Sequence, residues 1–216
     1  MNKEEFMKNN LIVVGGREIG KTTFLLSKVD EYIKQEKMIV ILDSATEHAD
    51  KSLLRKAQHK YKNVITFDLR DEEKIVLLDK NEDLYIKNFK NYFPYDELTK
   101  NSGKIICFDL SYFLEKGHDI YDETKDEKAY KYYRSLYNHL SQQIIFCLIL
   151  CEKCDIIKNP VVVMDEIELP KVCYNMALYQ ENIDFIASVH PENAFGTFYD
   201  SFEKADFKPY IKKERT

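Results

Sequence analysis

The sequence predicts a three-layer α/β fold with a mostly parallel central sheet. Three observations carry that expectation. A glycine-rich segment, Gly15-Gly16-Arg17-Glu18-Ile19-Gly20-Lys21-Thr22, lies between an apolar run and a helical pattern. Short apolar runs alternate with amphipathic stretches along most of the chain, which is how helices come to cover both faces of a parallel sheet. One late run, Val161-Val162-Val163-Met164, ends in Asp165-Glu166.

The elements follow in order. Leu11–Val14 reads as a buried first strand. The helix after the glycine-rich segment carries Leu25, Val29, Tyr32 and Ile33 on one face, the i, i+4, i+7, i+8 pattern of an amphipathic helix. Met38–Leu42 is the second strand and runs into Asp43-Ser44. Asp43 is a candidate for the cleft at the strand ends, and either residue is a candidate helix N-cap. A second helix is expected from Ala49 to Tyr61, with Leu53, Ala57 and Tyr61 inward. Val64–Leu69 and Ile105–Leu110 are further strands, and Lys74–Leu78 is a short extra one. Between them, Asp79 to Ser102 mixes charge with Tyr85, Phe89, Tyr92, Phe93 and Tyr95 and reads as a helical insertion on the sheet edge.

Glu115 to Lys128 is highly charged and reads as an exposed loop, with a lid or a partner surface as its functional alternative. The longest helix is expected from about Ala129 to Glu152, with Tyr133, Leu136, Leu140, Ile144, Cys147 and Cys151 inward. Val161–Met164 and Phe185–Val189 complete the strands, and Pro191 ends the last. The basic tail from Lys208 to Arg215 is a candidate phosphate-backbone contact or a frayed terminus.

Length and composition bound the function. The 216 residues suit a single domain with a full core, and 44% hydrophobic with 32% charged residues is a soluble globular composition. The formal net charge of -5 creates no global attraction for nucleic acid. The longest strongly apolar run, Ile144 to Cys151, is too short to span a bilayer, and the N-terminus has no apolar leader core. A cytoplasmic protein with five reduced cysteines is expected.

The glycine-rich segment fits G-x-x-x-x-G-K-[ST] in its strand–loop–helix context. Its backbone N–H groups and the helix N-terminus form a nest for anions. Gly15, Gly16, Arg17, Glu18, Ile19, Gly20, Lys21, Thr22 and the following Thr23 are the candidate phosphate contacts. Lys21 is placed for the β- and γ-phosphates and Thr22 for Mg²⁺. Arg17 is a candidate for phosphate or a neighbouring subunit, or a solvated charge. Asp165, ending a buried strand, is the second candidate Mg²⁺ ligand. Glu166 is the candidate general base, with Glu168 as a more distant one. On the next strand Ser188 and His190 are candidate γ-phosphate sensors, a loop histidine being the alternative for the latter; Asn193 is a further candidate.

Weaker constellations accompany these. Cys147, Cys151 and Cys154, with Cys107 and Cys173 elsewhere, read as core thiols and lack a paired C-x-x-C frame for metal. Tyr130, Tyr132, Tyr133 and Tyr137 with Lys128, Lys131 and Arg134 read as one core-facing and one solvated helix face, with base stacking as the alternative. Arg134 is a candidate arginine finger in a ring.

The two nucleotide motifs resemble those of the P-loop NTPases, in the division with a catalytic glutamate after the metal-binding aspartate. The order of Gly103-Lys104-Ile105-Ile106-Cys107-Phe108-Asp109-Leu110-Ser111, a long helix, and then Asp165-Glu166 resembles the HerA/FtsK-like ATPases. That resemblance implies a RecA-like sheet, ATP and Mg²⁺ as cofactors, and a homo-oligomeric ring or a partner ATPase subunit acting on DNA. Two other readings stay open: a small nucleoside-triphosphatase or small-molecule kinase, and a slow nucleotide-gated interaction switch.

Overall fold

Side chains two residues apart on a strand share one face of a sheet, so a strand buried on both faces must be apolar throughout. That rule selects the strands here. The computed structural model describes residues 11–15, 20–44, 52–69, 76–78, 84–86, 93, 95–100, 104–165, 183–189 and 208–211. In chain order these form β1 (Leu11–Val14), α1 (Lys21–Lys34), β2 (Ile39–Asp43), α2 (Leu53–Lys60), β3 (Val64–Asp68), β4 (Val76–Leu78) and β5 (Leu84–Ile86). They continue as α3 (Tyr95–Thr99), β6 (Ile105–Asp109), α4 (Ser111–Thr124), α5 (Glu127–Lys153), β7 (Val161–Asp165), β8 (Asp184–Val189) and β9 (Lys208–Ile211).

Seven strands make one sheet in the order β3-β6-β2-β7-β8-β1-β9. Every pairing in it is parallel. The middle strand β7 and its neighbour β2 are buried at every position.

Alternation splits the core in two. Ile39, Ile41, Ile105, Cys107, Val161, Val163 and Ile186 pack with Leu25, Leu26 and Val29 of α1 and Leu53, Leu54 and Ala57 of α2. Val40, Leu42, Ile106, Phe108, Val162, Met164, Phe185 and Ala187 pack on the other face against α4 and α5. Each fully buried aliphatic side chain contributes roughly 1.5–3 kcal/mol. Two helical layers therefore sandwich the sheet.

The amphipathic faces of α1 and α5 match the sequence pattern. On α5, Tyr133, Leu136, Leu140, Ile144, Cys147 and Cys151 are all buried. Asp126 caps this helix by accepting from the backbone N–H groups of Lys128 and Ala129, at 2.8 and 3.2 Å.

Four expectations need correction. The second helix starts later than Ala49. Ser52 is its N-cap, in extended backbone, and its hydroxyl accepts from Arg55 N–H at 3.1 Å. Glu115 to Lys128 is no loop through most of its length, because α4 runs to Thr124. Phe113 and Gly117 are buried and Leu114 and Ile120 partly so, and this face packs on α5 while the charges occupy the solvated side. The stretch 79–102 is not simply helical, since β5 pairs antiparallel with β4 and only α3 is helical among its described residues. The tail does not fray at Lys208–Ile211, which pairs with β1 and gives the sheet an edge strand.

Helices α4 and α5 approach closely at Gly117, where glycine removes a side chain. A Cβ at Gly117 would sit 3.1 Å from Tyr133 Cβ. Gly117→Val should lower stability by about 1–3 kcal/mol through overpacking, measured by urea unfolding. Gly117→Ala should cost less, because better helix propensity recovers up to about 1 kcal/mol. A valine variant as stable as wild type would contradict this close approach.

Candidate functional site

The site is built at the carboxyl ends of parallel strands, where loops leave the sheet. β1 delivers the chain to Gly15, and Gly20 starts α1. Gly20 adopts φ 91°, ψ 23°, the left-handed region that glycine enters without a Cβ penalty. Its carbonyl accepts from Phe24 N–H at 3.0 Å, so helical bonding begins at once. No side chain caps α1 and its first turn holds no acid. Its N-terminal N–H groups and dipole thus suit an anion.

Lys21 is the first residue of this helix and is buried, at 4% exposure. A buried ammonium needs acceptors. Lys21 Nζ donates to Gly15 O at 2.8 Å, which ties the two ends of the glycine-rich segment together. Thr22 is half-buried beside it and Thr23 is exposed.

Asp165 ends β7 at 5% exposure. Val161 and Val163 face α1 and α2, so period-two alternation sends Asp165 to the same face. The same argument through Ile186 sends Ser188 of β8 there. Met164 pairs with Ala187, which makes Asp165 and Ser188 neighbours on the next rung. The buried Ser188 hydroxyl donates to Asp165 Oδ1. On its other side Ser188 is level with Val13 of β1. Helix α1 packs against both β7 and β8. Lys21, Thr22, Asp165 and Ser188 therefore share one side of the sheet at its carboxyl edge.

Register reveals an arrangement the separate motifs concealed. Asp68, Asp109, Asp43 and Asp165 occupy one rung across β3, β6, β2 and β7. Neighbouring strands lie about 4.8 Å apart. The signal is present in the chain, since each of these apolar runs ends in aspartate. Only the pairing makes it one row.

Members of that row differ in what they hold. Asp43 Oδ2 accepts from Leu54 N–H at 2.9 Å and so ties the first turn of α2 to the end of β2, although the N-cap residue itself is Ser52, not Asp43 or Ser44. Asp109 Oδ1 accepts from Ser111 N–H at 3.1 Å and from its hydroxyl at 2.7 Å, at the start of α4. Asp165 is the carboxylate that meets Ser188, two strands from β1.

Among the described residues no group of three His, Cys, Asp or Glu side chains could hold a metal alone. Mg²⁺ does not require one. It keeps several waters and takes one or two protein oxygens together with phosphate oxygens. A threonine hydroxyl and a buried carboxylate, both hard oxygen donors, fit that requirement.

Gly16, Arg17, Glu18, Ile19, Glu166, Glu168, His190 and Asn193 lie outside the described residues. The other constellations divide between core and surface, and Cys154 departs from the core-thiol expectation. Cys107, Cys147 and Cys151 are buried, and burial pushes their thiols up, that of Cys151 to about 11. Cys154 is exposed, and Cys173 lies outside the described residues. Tyr133 and Tyr137 are core residues, while Lys128, Lys131 and Arg134 are exposed. Arg134 Nη1 donates to Tyr130 Oη at 3.0 Å within its own helix.

No protein-family model matches the chain, and no curated protein matches it at a significant level. Among the described residues no helix is long and apolar enough to cross a membrane.

The tie from Asp43 to the first turn of α2 is open to test. Asp43→Ala removes the acceptor for a buried backbone N–H and should cost about 1–3 kcal/mol in urea unfolding. Unchanged stability would show that α2 does not depend on this bond.

Proposed function

We propose that the chain binds and hydrolyses ATP with Mg²⁺ as a P-loop NTPase of the RecA-like, catalytic-glutamate division. One observation supports this above the others. A buried lysine at an uncapped helix start and a buried aspartate two strands away lie on the same side of a parallel sheet, at its carboxyl edge. The intervening β8, with Ser188 level with Asp165, is compatible with a RecA-like layout.

The chemistry follows from charge. Phosphoryl transfer asks mainly for positioning and for neutralisation of charge on the phosphate oxygens. Lys21 supplies a fixed positive charge in a site with little water to screen it. Backbone N–H groups at the start of α1 bind phosphate oxygens. Thr22 and Asp165 would hold Mg²⁺, which supplies further neutralisation of the phosphates. Glu166 follows Asp165 directly in the chain and is the proposed base that orients or deprotonates the attacking water.

The purpose we assign to hydrolysis is work on DNA, as a HerA/FtsK-like motor or remodelling subunit in a ring. Its support is the resemblance of motif order: Asp109-Leu110-Ser111 closes β6 and leads into α4, the long α5 follows, and β7 carries Asp165.

The test is Mg²⁺-dependent ATP hydrolysis by wild type, Lys21→Ala and Glu166→Gln, with and without DNA at matched low salt. Wild type should turn over and DNA should raise the rate. Each variant should lose about 100-fold or more in rate, the scale for removing one preorganised catalytic group. Glu166→Gln should still bind ATP. Turnover indifferent to DNA overturns the motor role and favours a small nucleoside-triphosphatase or a kinase, which added small-molecule acceptors then distinguish. Tight binding with negligible turnover favours a nucleotide-gated switch. Absence of nucleotide binding overturns the whole reading.

A further inference from the structure

Ser188 entered as a candidate γ-phosphate sensor, and its hydrogen bond points elsewhere. A serine hydroxyl has one proton to donate. In this protein that O–H is directed at Asp165 Oδ1. While it stays there it is not donated to a phosphate oxygen. We infer that Ser188 is a positioning residue that orients the Asp165 carboxylate for the metal. This rests on the metal–nucleotide reading above and assigns a part of it.

Three features support the inference. Ser188 is fully buried within the sheet, level with Val13 on one side and with Asp165 on the other. A sensor has to project past the strand end toward the last phosphate. Ser188 instead makes its bond sideways, along the rung. Second, Asp165 is itself buried, and a donor on one of its oxygens helps to set the orientation of the carboxylate. A hydroxyl held by one oxygen favours one orientation and leaves the second oxygen available to a metal. Third, the neighbours of Ser188 on β8 are Phe185, Ile186 and Ala187, all buried and apolar. One hydroxyl in such a strand has a specific partner to meet, and that partner is the proposed metal ligand.

The two roles separate cleanly on ADP, which has no γ-phosphate. The experiment measures Mn²⁺ binding to the protein–ADP complex by electron paramagnetic resonance, for wild type, Ser188→Ala, Ser188→Thr and Ser188→Cys. Mn²⁺ stands in for Mg²⁺ as the spectroscopic probe. Positioning predicts that Ser188→Ala weakens Mn²⁺ binding by about 10-fold or more, the scale for losing a partner of a metal ligand. Ser188→Thr keeps a hydroxyl and should restore it. Ser188→Cys is a weak donor of similar shape and should also lose affinity, which keeps the test informative if the alanine variant folds poorly. ADP affinity without metal should be the same in all four proteins. Wild-type Mn²⁺ affinity in both Ser188→Ala and Ser188→Cys overturns the inference and leaves the nucleotide reading standing. Failure of the wild type to bind Mn²⁺ and ADP together overturns both.

Discussion

Parallel, in-register pairing across β6, β2, β7, β8 and β1 is the constraint on which the rest depends. It levels the strand ends, so that residues closing each strand meet along one edge. Period-two alternation then decides the side of the sheet on which each closing side chain stands. A slip of one residue in β7 would turn Asp165 from the α1 side to the α4–α5 side. It would also turn Val161 and Val163 out of their cluster with α1 and α2. The apolar packing that stabilises the sheet is thus the same packing that aims the carboxylate.

Buried charge is the second theme. Lys21 and Asp165 are both removed from water, which is costly unless each finds partners. The carbonyl of Gly15 and the hydroxyl of Ser188 are among those partners. Neither charge is needed to hold the core, where apolar side chains suffice. The nucleotide chemistry proposed above would use both of them, in keeping with the rule that local violations of core logic mark functional positions. Asp43 and Asp109 show the structural counterpart. They occupy the same rung, yet each takes backbone N–H groups at the start of a helix.

Much of this was legible in the chain. The strands that form the centre of the sheet are near-continuous apolar runs, and the long α5 shows its buried face at helical spacing. Lys21 and Asp165 stand where their motifs predict, at the start of a helix and the end of a strand. Legibility failed where charge masked periodicity. Between Glu115 and Lys128 the inward residues, Gly117 and Ile120, are outnumbered by charged ones, so the segment resembled a loop. It failed again at Lys208–Ile211, where Pro209 and the surrounding lysines interrupt the short apolar signal of Tyr210-Ile211. The sensor reading of Ser188 could not anticipate its bond to Asp165, because that bond depends on which strands are neighbours. The aspartate row has the same origin: four separate strand ends become one feature only through register.

The most direct test of the account is a crystal structure of the chain with Mg²⁺ and a non-hydrolysable ATP analogue. The account predicts phosphates seated on the loop from Gly15 to Gly20, Lys21 Nζ on the β- and γ-phosphates, and the metal between Thr22 and Asp165. Nucleotide bound away from the start of α1, or a metal without Asp165 near it, would contradict it.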